Sequence, residues 1–231
     1  SDLYWGNGYT LWTSPDESLP LEARLIFDTG QRKEGFLSLY LYHEGQMIYH
    51  FNFRFDYNVD GTPSVYIGTI QGSKHGLETT KVLTKKLFGY RPKNFILYLM
   101  RIFVQTLGIH DIYVITDEGF YTNSHMLRGN RSKKTNFNEF WIGEGAAPDG
   151  KEPWYYHLPI EERRRKYGEI KSQKRNLFRK RYLLMDTIIP PYIAAIKALF
   201  RQGFDPVPSA IDEASITDKP ADYDPIEAPA K

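Results

Sequence analysis

The feature that most constrains the fold is a long run of alternating residues between positions 35 and 57. In its later half every second residue is aromatic: Tyr49, Phe51, Phe53 and Phe55. A period of two is typical of a strand that buries one face. Glu44-Gly45 divides the run in two, and a two-residue turn with glycine indicates a β-hairpin. The chain is therefore expected to build an antiparallel sheet with one aromatic face in a core.

The same periodicities predict the remaining elements. Further strands are expected at residues 9–12, 22–27, 65–70, 109–116 and 154–158. Helices are expected at residues 77–88, 93–107, 160–185 and 192–201, where prolines suit the helix starts and glycines the ends. Residues 117–153 are rich in Gly, Asn, Ser and Lys and are predicted to form a loop. This order predicts one α+β domain over residues 1–201, with a mixed, mainly antiparallel sheet flanked by helices.

The net charge of +2 conceals an uneven distribution of charge. From residue 202 onward the chain carries seven carboxylates against two lysines, which leaves seven net positive charges on residues 1–201. The segment 202–231 also holds five prolines and few apolar residues. It cannot bury enough apolar surface to offset the entropy of ordering it. We expect an acidic tail that is disordered or draped over the surface.

Composition excludes several classes of protein. The absence of cysteine rules out disulfides, thiolate metal sites and cysteine nucleophiles. The histidines lack ligand spacing, so no metal is expected, and the motifs of P-loop, Rossmann, zinc-protease and serine-hydrolase sites do not occur. No apolar run approaches the ~20 residues of a membrane span, and the first residues lack the pattern of a signal peptide. We expect a soluble protein of the cytoplasm, in which peripheral contact with the envelope stays open.

Four groups of short motifs follow one another between about residues 30 and 190. They are KEGFLSLYLY and IYHFNFRF from Lys33 and Ile48; IGTIQGSKHG and TKKLFGYRPK from Ile67 and Thr84; NEFW and HLP from Asn138 and His157; and KRNLFRKRY from Lys174. Each motif is short, but the ordered set resembles the VirK/YbjX family of bacterial proteins. This resemblance implies a Gram-negative setting and a link to virulence and envelope stress. It does not imply a particular reaction.

One of these motifs places a glycine-bearing turn between a predicted strand and a predicted helix. Its predicted ligand-binding residues are Gln71, Gly72, Ser73, Lys74 and Gly76. Free N–H groups at a helix N-terminus suit a phosphate. The order of strand, turn, helix and strand also resembles the cofactor-binding centre of acyl-CoA N-acyltransferases, although a second close glycine is missing and two helices separate the strands. That resemblance implies CoA or an acyl-carrier thioester as donor. A turn that only reverses the chain is the alternative.

Four side chains are predicted as catalytic candidates: His75, Glu118, Tyr121 and Glu139. A histidine titrates near neutral pH and can act as a base. Glu118 and Tyr121 follow the strand at 109–116, and strand ends commonly supply catalytic groups. Glu139 precedes two aromatic residues that can desolvate its carboxylate and raise its pKa. The alternatives are a solvated turn histidine, a loop carboxylate, a packed tyrosine and a glutamate that caps a turn.

Cations dominate the predicted helix at 160–185, which carries ten of them against three glutamates. The residues predicted to contact substrate or an anion are Arg91, Trp141, Arg175, Arg179, Arg181 and Tyr182. Pro92 holds Arg91 extended, and its planar guanidinium suits a carboxylate or phosphate. A solvated helix face, pairing with the acidic tail, and an ion pair between Arg91 and Glu78 are the alternatives.

Two functions follow from these patterns. The first is an N- or O-acyltransferase-like enzyme that acts on a small-molecule or peptide acceptor. The second is a non-enzymatic, envelope-associated protein that binds anionic lipid or an acidic partner through its basic helix. Binding to nucleic acid is not expected, because no recognition motif accompanies the moderate pI of about 8.5.

Overall fold

The structure is a computed structural model that describes residues 8–28, 35–74, 76–120 and 136–199. Its strands are β1 (Tyr9–Thr13), β2 (Leu21–Phe27), β3 (Leu37–His43), β4 (Gln46–Tyr57), β5 (Pro63–Gly72), β6 (Asp111–Ile115) and β7 (Tyr155–Leu158). Its helices are α1 (Leu77–Lys86), α2 (Pro92–Thr106), α3 (Phe137–Gly143) and α4 (Ser172–Ala198), with a 3-10 turn at Tyr167–Glu169. The predicted acidic tail, His75 and Tyr121 lie outside the described residues.

All seven strands form one sheet, in the order β1-β2-β3-β4-β5-β6-β7. Neighbouring strands are antiparallel except β5 and β6, where Ser64–Ile67 runs parallel to Asp111–Val114. A parallel pair needs a crossover connection, and α1 and α2 supply it. The predicted α+β class with a mixed, mainly antiparallel sheet is confirmed.

Helix α2 lies at the centre of the core. Phe103 packs edge-on against Phe53 of β4 with ring centroids 5.8 Å apart, and Phe95 packs against Trp12 of β1 at 5.9 Å. Most of the helix is buried around its whole circumference. Helix α4 packs against both α2 and strand β1, so that the core extends to the edge of the sheet.

The predicted break between two helices at Pro190 and Pro191 is wrong, because α4 runs through both prolines. A proline inside a helix costs about 3 kcal/mol, since it removes a hydrogen bond to the carbonyl four residues earlier. Here those carbonyls belong to Asp186 and Thr187, which are exposed to water. Buried residues recur at helical spacing on both sides of the prolines: Met185, Ile188, Tyr192 and Ile196. Their burial keeps one helix where two were predicted.

The predicted helical start at residue 160 is also wrong. Residues 159–171 form an extended segment with a 3-10 turn, and α4 begins only at Ser172. The backbone of this segment bonds to other parts of the fold: the Gln105 amide donates to the carbonyl of Ile160 at 3.2 Å, and the Arg165 N–H donates to the hydroxyl of Tyr182 at 3.0 Å. These tertiary bonds replace the bonds that a helix would make.

Helix α3 lies within the stretch that was predicted to be a loop. The Asn136 side chain caps it by accepting from the N–H of Glu139 at 2.9 Å. Phe137 and Trp141, four residues apart, bury the same face of the helix. In the sequence, the signal for this helix is an asparagine cap followed by aromatic residues at helical spacing. The prediction of a loop overlooked it.

We expect Trp141→Ala to lower the free energy of unfolding by about 3–5 kcal/mol, because it leaves a large cavity. The indole is fully buried, donates to the carbonyl of Ile115 at 3.0 Å and stacks on Phe51. Trp154→Ala is the control, since that side chain is 54% exposed. Urea unfolding of the three proteins measures the difference, and equal losses in the two variants would contradict this packing role.

Candidate functional site

A pocket of about 830 Å³ opens between the start of α2, the end of α3 and the first turns of α4. This volume lies within the range of small-molecule sites. Five arginines line it: Arg91, Arg101, Arg163, Arg165 and Arg181. They face three carboxyl groups, those of Glu144, Glu162 and Glu169, and the rings of Tyr90, Phe178 and Tyr182. We call this group of residues the arginine pocket.

Arg101 lies at the bottom of the pocket and bonds to the chain segments on either side of it. The side chain is 3% exposed, and its guanidinium lies 3.5 Å from the carboxylate of Glu144. It also donates to the carbonyls of Glu144 and Pro159, both at 3.1 Å. A buried charge is tolerated when it is paired and hydrogen-bonded in this way. Arg101 therefore holds the 144–145 turn and the start of the 159–171 segment against α2.

Tyr90 and Glu162 form a buried pair in the wall of the pocket. The Tyr90 hydroxyl donates to the Glu162 carboxylate. Burial raises the pKa of Glu162, and burial together with this carboxylate raises the pKa of Tyr90 well above its usual value. A carboxyl group with a raised pKa can give or accept a proton near neutral pH more readily than a surface glutamate.

Arg181 presents a fixed cation to the pocket. Its guanidinium lies 4.3 Å from the ring centroid of Phe178 and 5.4 Å from that of Tyr90. Two of its N–H groups donate to the carbonyl of Phe88, at 3.2 and 2.8 Å. Burial lowers the pKa of Arg181, which nevertheless stays charged at any physiological pH. Stacking and hydrogen bonds together hold the guanidinium in one position.

Three guanidinium groups of the pocket have no carboxylate partner among the described residues: that of Arg181, which bonds to the Phe88 carbonyl, and those of Arg91 and Arg165. Arg91 stands at the N-cap of α2 in the extended conformation expected before a proline. Glu78, the partner considered from the sequence, pairs instead with Lys81 at 2.7 Å. The Arg165 guanidinium contacts the ring of Phe178 at 5.9 Å. Both charges are therefore available to a ligand.

Lys93 is the second residue of α2 and lies beside the pocket. Its ammonium group is 3.7 Å from the ring centroid of Phe140. Burial lowers its pKa to about 8, while the nearby carboxylates of Glu144 and Glu139 act in the opposite direction. A lysine of this kind is partly neutral near physiological pH, which the sequence alone did not indicate.

The structure brings together half of the residues predicted to contact substrate or an anion. Arg91, Arg181 and Tyr182 line the arginine pocket. Arg175 instead donates to the carbonyl of Ile170 at 3.2 Å, and Arg179 is exposed and lies 3.5 Å from the amide of Asn176. The indole of Trp141, the remaining residue of the six, is enclosed in the core. Ligand binding by each of them stays a prediction.

The two catalytic candidates within the described residues, Glu118 and Glu139, lie outside this pocket. Glu118 is exposed and accepts from the Asn138 amide at 3.1 Å, which lowers the pKa of its carboxyl. Glu139 is exposed in the first turn of α3, so the neighbouring aromatic rings do not enclose it and the expected desolvation is not found. The catalytic role of these residues stays a prediction, as it does for His75 and Tyr121.

The predicted phosphate turn forms a separate feature at the end of β5. Gln71, Gly72 and Lys74 are exposed there. The Ser73 N–H donates to the carbonyl of Ile48 at 3.0 Å, and the Gly76 N–H donates to the carbonyl of Ser73 at 3.2 Å. These bonds fasten the turn to β4 and close it just before α1. None of its described residues lines the arginine pocket.

Comparison with known proteins decides the family. The sequence model described as "Protein of unknown function (DUF535)" matches residues 1–191. The chain belongs to the DUF535 family, the VirK/YbjX family. The match spans both the arginine pocket and the 71–76 turn, so both are features of a DUF535 sequence.

The chain matches parts of two curated bacterial relatives. It is 29% identical to the uncharacterized protein YbjX of Escherichia coli (strain K12) over 133 residues, which are 56% of this chain and 40% of that protein. It is 28% identical to an uncharacterized protein of Haemophilus influenzae over 186 residues, 77% of this chain and 60% of that protein. The chain thus spans less than two thirds of either relative.

Two further observations concern the described residues alone. None of their helices is both long and apolar enough to cross a membrane. Within the same residues, no three His, Asp or Glu side chains come together in a way that could hold a metal ion.

We expect the stability of the protein to depend on pH through Glu162. Because its pKa is raised in the fold, its contribution is fully present below the pKa of an unfolded glutamate, about 4.3, and is lost as pH rises through the folded-state value. Relative to Glu162→Gln, the wild type should therefore lose free energy of unfolding as the pH rises above about 4. Urea unfolding at a series of pH values measures this.

Glu161→Gln is the matched control for this experiment, because it removes the same charge from an exposed neighbour outside the pocket. The same pH trend in both variants would assign the effect to net charge and would contradict a special role for Glu162.

Proposed function

We propose that this DUF535 chain binds an anionic ligand of the phosphate or carboxylate type in the arginine pocket. The observation that carries the proposal is the position of Arg91 and Arg165, two guanidinium groups without carboxylate partners, beside the fixed guanidinium of Arg181. The pocket holds five guanidinium groups against three carboxyl groups. An anion would complete the charge balance.

The surroundings strengthen the attraction for an anion. Arg91 lies at the N-terminus of α2, a helix of 15 residues whose dipole adds positive potential at that end. The planar forks of arginine match the oxygen atoms of phosphate and carboxylate groups. The half-buried walls exclude part of the water, which makes each charge interaction stronger than on an open surface.

The rim of the pocket indicates that the ligand has an apolar part as well. Ile142 lines the pocket and is 59% exposed, and Phe178 presents its ring beside it in the lining. A phosphorylated small molecule and the head group of an anionic lipid both combine a charge with apolar atoms. A lipid head group would fit the link to envelope stress that the VirK/YbjX resemblance implies. Binding to it would also account for the envelope association proposed from the sequence.

We expect wild-type protein to bind inorganic pyrophosphate in calorimetry, or to float with phosphatidylglycerol vesicles and not with phosphatidylcholine vesicles. Arg91→Ala and Arg165→Ala should each weaken binding roughly tenfold or more, because a hydrogen bond to a charged group contributes about 1.5–3 kcal/mol. The two probes separate a free phosphate ligand from a lipid head group. Binding should also weaken as salt is added.

Arg179→Ala is the matched control, since it removes an exposed arginine of α4 that does not line the pocket. If it weakens binding as much as Arg91→Ala, attraction is due to the basic helix as a whole. Absence of binding to both probes in low salt would sink the proposal.

A second candidate, acyl transfer, is favoured by the region around β5. Strand β6 pairs with β5 only over Ser64–Ile67, while β5 continues to Gly72 and leads through the 71–76 turn into α1. A thioester of CoA or an acyl carrier could place its phosphates on this turn and the N-terminus of α1. Glu118, Glu139, His75 and Tyr121 are the proposed bases for the amine or hydroxyl of the acceptor.

We expect acetyl-CoA and a long-chain acyl-CoA to raise the unfolding temperature if this second function holds, since a ligand at about 100 times its Kd adds about 2.7 kcal/mol. Lys74→Glu should abolish the shift, whereas Lys85→Glu, at the other end of α1, should keep it. Arg91→Ala should also keep it. No shift with any acyl-CoA would rule out the donor site.

A further inference from the structure

The amine of Lys93 has no polar partner within the described residues, although part of its side chain is buried. The other lysines that the structure describes are exposed, whereas Lys93 is only partly so. Its ammonium group lies over the ring of Phe140, with Nζ 3.7 Å from the ring centroid, and makes neither a hydrogen bond nor an ion pair with the described chain. A polar group that is removed from water without a partner is rare in native proteins and calls for a reason.

The position of Lys93 favours the neutral amine. It is the second residue of α2, a helix of 15 residues whose dipole is positive at that end. Burial lowers its pKa to about 8, against the opposing charges of Glu144 and Glu139. About half of the amine is therefore neutral at pH 8, against less than about 1% for an ordinary lysine of pKa about 10.4. The neutral amine is the nucleophilic form of lysine.

The amine also lies at the edge of the arginine pocket. Arg91 and Asn94, which precede and follow Lys93 in the first turn of α2, both line the pocket. The Asn94 amide donates to the Glu144 carboxylate, whose charge acts on Lys93 as well. A molecule whose anionic group binds Arg91 therefore enters at the same end of α2 as this amine.

We propose that Lys93 is a modification site whose amine takes the acyl group of an acyl phosphate, while Arg91 holds the phosphate group. The inference rests on the anion site proposed above. In the reaction the lone pair of Nζ attacks the carbonyl carbon, and a C–N bond forms. The C–O bond to the phosphate group breaks, inorganic phosphate leaves with the electron pair of that bond, and the proton lost from nitrogen passes to water. The product is an amide of Lys93.

The cation at Arg91 favours this donor over other carbonyl compounds. Negative charge builds on the phosphate oxygen as the C–O bond breaks, and a guanidinium group at that point stabilises it. An aldehyde releases water when it reacts with an amine. The sulfur that leaves a CoA thioester lies far from the phosphate groups of that molecule. Neither donor would draw the same help from Arg91.

The first test measures the rate of acylation at individual lysines. We expect acetyl phosphate, incubated with the full chain at pH 8, to acetylate Lys93 at least about tenfold faster than Lys85, an exposed lysine of α1. Peptide mass spectrometry over a time course measures both rates. Arg91→Ala should slow the reaction at Lys93 several-fold, whereas Arg179→Ala should leave it unchanged. Equal rates at the two lysines of the wild type would overturn the proposal.

A second reagent separates the amine from the anion site. The N-hydroxysuccinimide ester of acetic acid is uncharged, so its reaction measures the amine alone. Lys93 should again react faster than Lys85, and Arg91→Ala should change this reaction little. Inorganic pyrophosphate should slow the reaction of Lys93 with acetyl phosphate and not its reaction with the ester.

The two proposals can fail separately. If the wild type binds pyrophosphate in calorimetry but acetyl phosphate modifies its Lys93 no faster than that of Arg91→Ala, the anion site stands and the modification site is overturned. Equal rates in these two proteins without any binding of pyrophosphate would overturn the phosphate site as well.

Discussion

The burial of α2 between the sheet and α4 is the constraint on which the rest of the structure depends. Because the helix is enclosed on nearly all sides, its only charged core residue, Arg101, must be neutralised where it stands. It is neutralised by Glu144 and by backbone carbonyls, and these bonds bring the end of α3 and the 159–171 segment to the helix. The arginine pocket exists because those three pieces of chain converge at the start of α2.

The sequence predicted elements well where one face of a strand is buried. β4 was predicted with the bounds that it has, although both of its faces are buried over His50–Phe53 and Phe55 of the predicted core face is exposed. The errors fall where tertiary contacts override local preference. Residues 160–171 are rich in helix-forming side chains, yet their backbone bonds to Gln105 and Tyr182. Helix α3 has only seven residues, too few for periodicity to stand out in a stretch rich in glycine and polar residues.

The candidate site was also predictable only in part, because tertiary contacts decide which of its residues meet. Arg91 was identified because its environment is local: a proline follows it and a helix begins there. Arg181 was identified from the basic character of its own segment. Glu162 and Arg165 were placed on the solvent side of a helix that does not form, so their approach to Tyr90 and Phe178 could not be inferred. The raised pKa of Glu162 arises from its burial in the fold, which the sequence does not show.

The strand order of the sheet has a consequence for how the chain reaches this structure. Strands β1 to β5 pair with their neighbours in sequence, so each pairing closes a short loop and can form early, even while the chain is being synthesised. The parallel pairing of β5 with β6 must wait for both crossover helices. The arginine pocket is assembled late, because the helices that line it all follow β5 in the chain. A partly folded chain would therefore hold its first five strands before it can bind a ligand in the pocket.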